Sequence, residues 1–196
     1  MKLLLHSCCA PCSGAILEWL SANDIRPTVF YSNSNIFPKK EYELRESECD
    51  RYAKTLGLEI VEDEYDHGRW QREVGFGREN EPERGARCLE CFKFRLRSAA
   101  KYAHENGYDT LTTSLASSRW KNLEQVDAAG EEACAEYNDV KWWGRNWRKD
   151  GLQERRGQVI KEQNFYNQLY CGCEFSKRSA EEYRAAKVQN ESGDRT

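Results

Sequence analysis

The stretch Leu3-Leu4-Leu5-His6-Ser7-Cys8-Cys9-Ala10-Pro11-Cys12-Ser13-Gly14 decides the fold. An apolar run ends in three cysteines, then Pro, Ser and Gly. An amphipathic segment follows, with Ile16, Trp19 and Leu20 at helical spacing. The order reads as a first β-strand over 2–7, a tight turn, and a helix over 14–23. In open α/β sheets the C-terminal end of a strand is where ligands bind. Two adjacent cysteines do not easily bridge each other, and at the mouth of a sheet they read as metal ligands.

The same alternation continues outward. Pro27–Tyr31 is a second strand, ending in the polar loop Ser32-Asn33-Ser34-Asn35, and a helix over about 40–56 carries Tyr42, Cys49, Tyr52, Ala53 and Leu56 on one face until Gly57 stops it. Leu58–Val61 is a short third strand. Residues 63–87, rich in charge and glycine, read as one long loop of the kind that is functional or mobile. A helix over about 88–106, a fourth strand at Thr110–Leu115 and a helix over about 121–137 follow. Residues 138–157 read as irregular and basic, 157–170 as a helix, Ser176 to about Val188 as another, and 190–196 as a disordered tail. Strands alternating with helices predict a parallel sheet covered on both faces, an α/β fold in a single domain over 1–189.

The bulk composition narrows the class. A net charge of −3 excludes a wholly basic nucleic-acid protein but leaves room for a basic patch. Lys2 is followed by only three leucines before His6, too short for a signal peptide, and no apolar run approaches the roughly 20 residues a bilayer requires. A cytoplasmic protein without membrane contact is expected. In that reducing compartment nine cysteines do not form a disulfide framework.

Seven of the nine cysteines fall in tight groups: Cys8/Cys9/Cys12, Cys88/Cys91 and Cys171/Cys173. Such grouping in a cytosolic chain favours metal. Cys88 and Cys91 are i and i+3 at a helix start, so both sulfurs face one way and the helix N-terminus favours their thiolates. The Gly between Cys171 and Cys173 lets the backbone turn closely around a metal. Four cysteines suffice for one structural zinc or one 4Fe-4S cluster. Seven are too many for either alone, which points to a cluster with a second metal, or with a redox disulfide pair. Cys49 and Cys134 share faces with apolar residues and read as buried hydrophobes. His67 and His104 read as surface residues, and His6 either tunes the neighbouring cysteines or is structural.

Residues 141–161 hold seven basic and two acidic residues, with Trp142, Trp143 and Trp147 interleaved with Arg145, Arg148 and Lys149. Cations that track phosphates beside aromatic faces that stack on unpaired bases suit an RNA loop. Arg119-Trp120-Lys121-Asn122 extends the same surface.

These residues resemble the QueH family, the cobalamin-independent epoxyqueuosine reductases. The resemblance runs from Leu3 to about Ser176. It rests on His-Ser-Cys-Cys-Ala-Pro-Cys-Ser at 6–13, Asn35-Ile36-Phe37-Pro38 with Glu41, Tyr42 and Arg45, Glu81–Cys88 with Cys91, Lys121-Asn122, and Tyr170-Cys171-Gly172-Cys173 with Ser176. Two departures stand out: Ser34 where Pro is usual, and Ser118-Arg119-Trp120 in place of Ser-Pro-aromatic or Ser-Pro-His.

The resemblance implies a Rossmann-like fold of the PP-loop or HUP-like kind. It implies reduction of the epoxide of epoxyqueuosine to the alkene of queuosine, at the wobble position of a tRNA anticodon. It further implies a 4Fe-4S cluster, with Cys8, Cys9, Cys88 and Cys91 among its ligands, and a second metal ion, read as iron, within the set Cys8, Cys9, Cys12, Cys88, Cys91, Cys171 and Cys173. An external donor such as ferredoxin or flavodoxin would supply electrons.

By position on the sheet rim, Tyr42, Lys121 and Glu41 are candidate proton donors. Asn35, Arg45, Arg84 and Arg87 are candidates to hold phosphate or ribose, and Asn122, Trp147 and Arg148 complete the expected substrate contacts. Two other classes remain open: a zinc-stabilised RNA-binding module and an ATP-dependent PP-loop enzyme. The latter wants a Ser-Gly-Gly-x-Asp-Ser loop where Cys-Cys-Ala-Pro-Cys-Ser-Gly stands.

Overall fold

The computed structural model describes residues 1–193. Strand β1 (Leu3–His6) is buried along its whole length, as a strand covered on both faces must be. It pairs in parallel with β2 (Thr28–Tyr31) on one side and β4 (Thr110–Thr113) on the other. β3 (Ile60–Glu62) and β5 (Lys141–Trp142) complete the all-parallel order β3-β2-β1-β4-β5. The chain winds outward from β1 to β3, then crosses back to β4, so the order reverses between β1 and β4. At such a reversal the loops after the two strands diverge and leave a crevice.

Among the described residues seven α-helices accompany the sheet: α1 (Ala10–Ala22), α2 (Lys39–Thr55), the single turn α3 (His67–Trp70), α4 (Ala86–Glu105), α5 (Leu123–Ala135), α6 (Leu152–Glu162) and α7 (Glu174–Gly193). α1 packs on α2 and α6, and α4 packs on α5. Right-handed crossovers put these two groups on opposite faces of the sheet. The central strands contribute Leu3, Leu4, Leu5, Val29, Phe30 and Leu111 to the core, and α4 contributes Leu96, Ala99, Ala100 and Ala103.

His6 fastens β1 at the site end of the sheet. Its Nε2 lies 3.1 Å from the Ser32 carbonyl oxygen and its Nδ1 2.7 Å from Thr113 Oγ1. A carbonyl only accepts, so Nε2 carries the proton and Thr113 donates to Nδ1. Burial, then the charge of Arg95, pushes the pKa down to about 3, leaving a neutral ring that ties the ends of β2 and β4 to β1.

Several expected elements differ in the structure. The long loop contains α3 and a π-turn (Gln71–Gly75), because Trp70 and Val74 find the interior and anchor them. The basic stretch supplies a fifth strand, two residues long, which no periodicity could announce. The helix expected at 157–170 is α6, which ends before Asn164 at a φ of 50°. α7 runs to Gly193, through the start of the expected tail; residues 194–196 lie outside the described residues. No helix among the described residues is long and apolar enough to cross a membrane.

β5 depends on one close approach. Trp142 lies over Gly130 of α5, and a Cβ at that position would overlap the indole. Gly130→Ala should therefore displace β5 and lower stability by about 1–3 kcal/mol, measured by urea unfolding. A stability equal to wild type would show that the strand is held by other contacts.

Candidate metal centre

The turn after β1 meets the turn after β4 in the crevice. Cys8 N donates to Ser114 Oγ at 2.9 Å, and Ser114 Oγ donates to Cys8 Sγ at 3.3 Å. Cys9 is the N-cap of α1 with an extended backbone and no side-chain cap, and Pro11 occupies the first turn. The Cys9 sulfur is therefore not spent on capping, and Cys12 lies in the same turn. The sulfurs of Cys8, Cys9 and Cys12 all lie within 4.8 Å of one another, and those of Cys8 and Cys9 are 3.8 Å apart. A tetrahedral ion with bonds of about 2.3 Å spaces its sulfurs roughly 3.8 Å apart. These three cysteines are close enough to share one metal ion.

The other four grouped cysteines stand nearby. Cys88 and Cys91 occupy the first two turns of α4, and Cys171 and Cys173 immediately precede α7. Burial pushes Cys91 up to about 12 and Cys173 to about 11, and the neighbouring sulfurs add to both shifts. Burial and then Cys171 likewise raise Cys88. Among the described residues only Cys8, Cys9 and Cys12 close to ion-sharing distance. Gly172 turns the backbone at a φ of 153°, and a Cβ there would come 2.9 Å from Asn35 Nδ2.

Donors converge on six of the seven sulfurs. Besides Ser114 on Cys8, Gln168 Nε2 donates to Cys9 (3.1 Å), Arg156 Nη2 to Cys12 (3.9 Å) and the Arg84 backbone N–H to Cys88 (3.3 Å). Lys121 Nζ donates to Cys171 (3.6 Å) and the Ser176 N–H to Cys173 (3.5 Å). Hydrogen bonds and cations directed at sulfur favour the thiolate. Cys12 is held well below the usual thiol value, first by hydrogen bonds from Cys8 and Cys9 and then by Arg156 and Lys121. Cys9 is held above it, chiefly because it shares its proton with Cys12. An all-sulfur set so supported fits thiophilic metals.

Lys121, Cys8 and Cys171 meet at a small recess of about 10 Å³, also lined by Asn35, Arg95 and Gln168. Burial lowers the Lys121 pKa, but Cys171, Cys8 and Cys12 outweigh it, so the ammonium is held above its ordinary value. A larger cleft, about 480 Å³, lies apart from these sulfurs, against Asp63, Glu73, Phe94, Arg97 and Tyr102.

The expected site residues separate into groups. Lys121 and Asn35 reach the recess. Arg45 also lines it, but its guanidinium is committed: it pairs with Glu41 and holds the carbonyls of Tyr170 and Cys171. Glu41 is thereby occupied as the partner of Arg45 and of the Tyr166 hydroxyl. Tyr42 donates its hydroxyl to Glu62 of β3, and burial raises its pKa, so it is no ready acid.

Asn122 caps α5, accepting from Glu124 N and Gln125 N. Arg87 is buried, donating to the Arg78 carbonyl and covering the Phe175 ring. Trp147 is 1% exposed, edge-on to Trp19 and Trp143, and donates to Thr112 Oγ1. It cannot stack on a base. Arg148 holds the carbonyls of Ser118 and Lys121, and Arg84 those of Arg119 and Trp120. Both arginines shape the loop that presents Lys121. Ser114, Gln168, Arg95 and Arg156 went unread in the sequence. Only Ser114 had a signal, its place directly after a central strand.

Comparison with known proteins places these residues in a family. A family model described as epoxyqueuosine reductase QueH matches residues 3–179. The chain is 45% identical over 185 residues to an epoxyqueuosine reductase QueH of Histophilus somni, covering 94% of this chain and 76% of that protein. It is 44% identical over 183 residues to the Haemophilus influenzae protein of the same name, covering 93% and 74%. The Acinetobacter baylyi protein of that name is 44% identical over 186 residues, covering 95% and 85%.

Metal binding should release protons, because the buried thiols must ionise. In anaerobic titration of metal-free protein with Co²⁺, Cys9→Ser should weaken the thiolate-to-metal absorption, whereas Cys134→Ser, outside the group, should leave it unchanged. Equal spectra for Cys9→Ser and wild type would remove Cys9 from the ligand set.

Proposed function

The chain belongs to the epoxyqueuosine reductase QueH family, and from that premise we propose how its residues carry out the reaction. It is an oxidoreductase of queuosine biosynthesis that acts on tRNA. Conversion of an epoxide to an alkene consumes two electrons and two protons and releases the oxygen as water. Side chains do not supply such electrons, so a metal cofactor is required.

We assign one iron to Cys8, Cys9 and Cys12, whose sulfurs lie within 4.8 Å of one another, and a 4Fe-4S cluster to Cys88, Cys91, Cys171 and Cys173, which act on one another as charged neighbours. When bound, these groups supply the electrons and a Lewis acid for the epoxide oxygen. The observation carrying this reading is the meeting of both cysteine groups at Lys121, which touches Cys171 and feels the charge of Cys8 and Cys12. Electrons enter from an external donor such as ferredoxin or flavodoxin, in the cytoplasm.

Lys121 holds a proton at Nζ beside the place where the epoxide oxygen must leave, and an ammonium there also stabilises negative charge developing on that oxygen. Arg148 fixes the backbone of Lys121 from one side, and Arg45 fixes that of Cys171 from the other. The substrate is the wobble nucleoside in the anticodon loop. Three exposed apolar side chains directly adjoin recess residues in sequence: Trp120 next to Lys121, Phe37 next to Ile36 and Leu169 next to Gln168. Trp120 is 67% exposed, with the Arg119 guanidinium over its ring. An aromatic face with a cation at the mouth of the site suits an unpaired base flanking the modified nucleoside.

Lys121→Met should lower turnover by about 10²- to 10⁴-fold while iron content and tRNA affinity hold. A fully active variant would exclude Lys121 as the proton source. Trp120→Ala should weaken binding of an anticodon stem-loop by about 5- to 150-fold, the range of one base-stacking contact. Trp147→Ala should instead lower folding stability by about 3–5 kcal/mol. Unchanged RNA affinity in the Trp120 variant would move the docking surface elsewhere.

A further inference from the structure

Two buried acceptor atoms at the recess have no partner. Asn35 is 2% exposed and lines the recess, and its Oδ1 has no hydrogen-bond partner among the described residues. Gln168 lines the same recess. Its Nε2 donates to Cys9 Sγ, which leaves Oε1 turned from that sulfur, and Oε1 is likewise buried and unpaired. Folded proteins leave few such oxygens without a donor. Their neighbours are satisfied. Asn33 donates to the Ser7 carbonyl and accepts from Arg95, and Arg45 is spent on Glu41 and two carbonyls.

The free atoms set the chemistry of what they recognise. Both are acceptors, so the complement is a donor, which excludes an ionised phosphate or carboxylate. Arg45, Arg95 and Lys121 line the same recess, and three cations oppose an ammonium donor. A neutral donor remains, and on the reductase reading the ring that bears the epoxide offers one as a hydroxyl. The volume of about 10 Å³ suits one such group and no ring.

We infer that Asn35 and Gln168 form an acceptor pair that takes a hydroxyl on the ring bearing the epoxide, and so tell the modified nucleoside from plain guanosine. The inference rests on the reductase reading above. It also revises the expectation that Asn35 holds phosphate. A buried site built to bond a hydroxyl discriminates strongly against a ligand that lacks it.

The test compares two anticodon stem-loop RNAs that differ only in queuosine or guanosine at the wobble position. Queuosine keeps the ring hydroxyls and has lost the epoxide, so binding is read without turnover. Wild-type protein, metal-loaded, should bind the queuosine RNA more tightly. Asn35→Ala should weaken that binding about 2- to 12-fold, the scale of one hydrogen bond, and leave the guanosine RNA unchanged. Asn35→Asp, which keeps an acceptor, should retain the preference, and Gln168→Leu should reduce it. Equal loss on both RNAs, as a ribose or phosphate contact would give, overturns the inference, and so does an undiminished preference in Asn35→Ala and Gln168→Leu. Turnover of epoxyqueuosine RNA by the wild type is measured alongside. Intact turnover with no preference overturns the acceptor pair alone, whereas no turnover overturns the reductase reading and the pair with it.

Discussion

Sulfur atoms gathered at one end of a sheet repel one another once ionised, and the site is arranged around that repulsion. Three of the sulfurs are packed within 4.8 Å in a buried turn. Removing such charge from water is unfavourable unless donors and cations replace the solvent. Ser114, Gln168 and Arg156 do so for Cys8, Cys9 and Cys12, and backbone N–H groups do so for Cys88 and Cys173. Lys121 stands between the two groups and is held cationic by both. A metal held by these thiols would take over much of this compensation; all nine cysteines are free.

The sheet supplies the rigidity that this arrangement needs. Strand order reverses between β1 and β4, and the Cys8–Ser114 contact lies across that reversal. Neutral His6 ties the ends of three strands together just behind it. Charge on that imidazole would set a buried cation against Arg95, so the position works only as a neutral ring. The cysteine-bearing turn therefore follows the buried central strand, while Cys171, the exposed cysteine, lies just before α7.

The basic aromatic segment shows how one composition serves two ends. Residue types that suit RNA contact are instead folded over α1 and β4. Trp147 is interior, Arg145 lies over the Trp19 ring at 4.0 Å, and Arg148 is consumed by backbone carbonyls. Their effect on the site is indirect, through the loop carrying Trp120 and Lys121. The exposed tryptophan beside the recess, Trp120, lies outside the stretch.

The alternation of strands and helices, the placing of cysteines after β1 and at the start of α4, and the family were legible in the order of residues. Each rests on local patterning or on motifs that survive in one dimension. That the three cysteine groups approach one recess was not legible, because it depends on the packing of turns far apart in the sequence. The same holds for the fate of each polar side chain. Arg45, Arg87, Asn122 and Trp147 looked available for substrate, and only packing shows that their bonding groups are already used. Gln168 carried no signal at all, since an amide becomes a site residue only when folding buries one of its atoms against a sulfur and leaves the other without a partner.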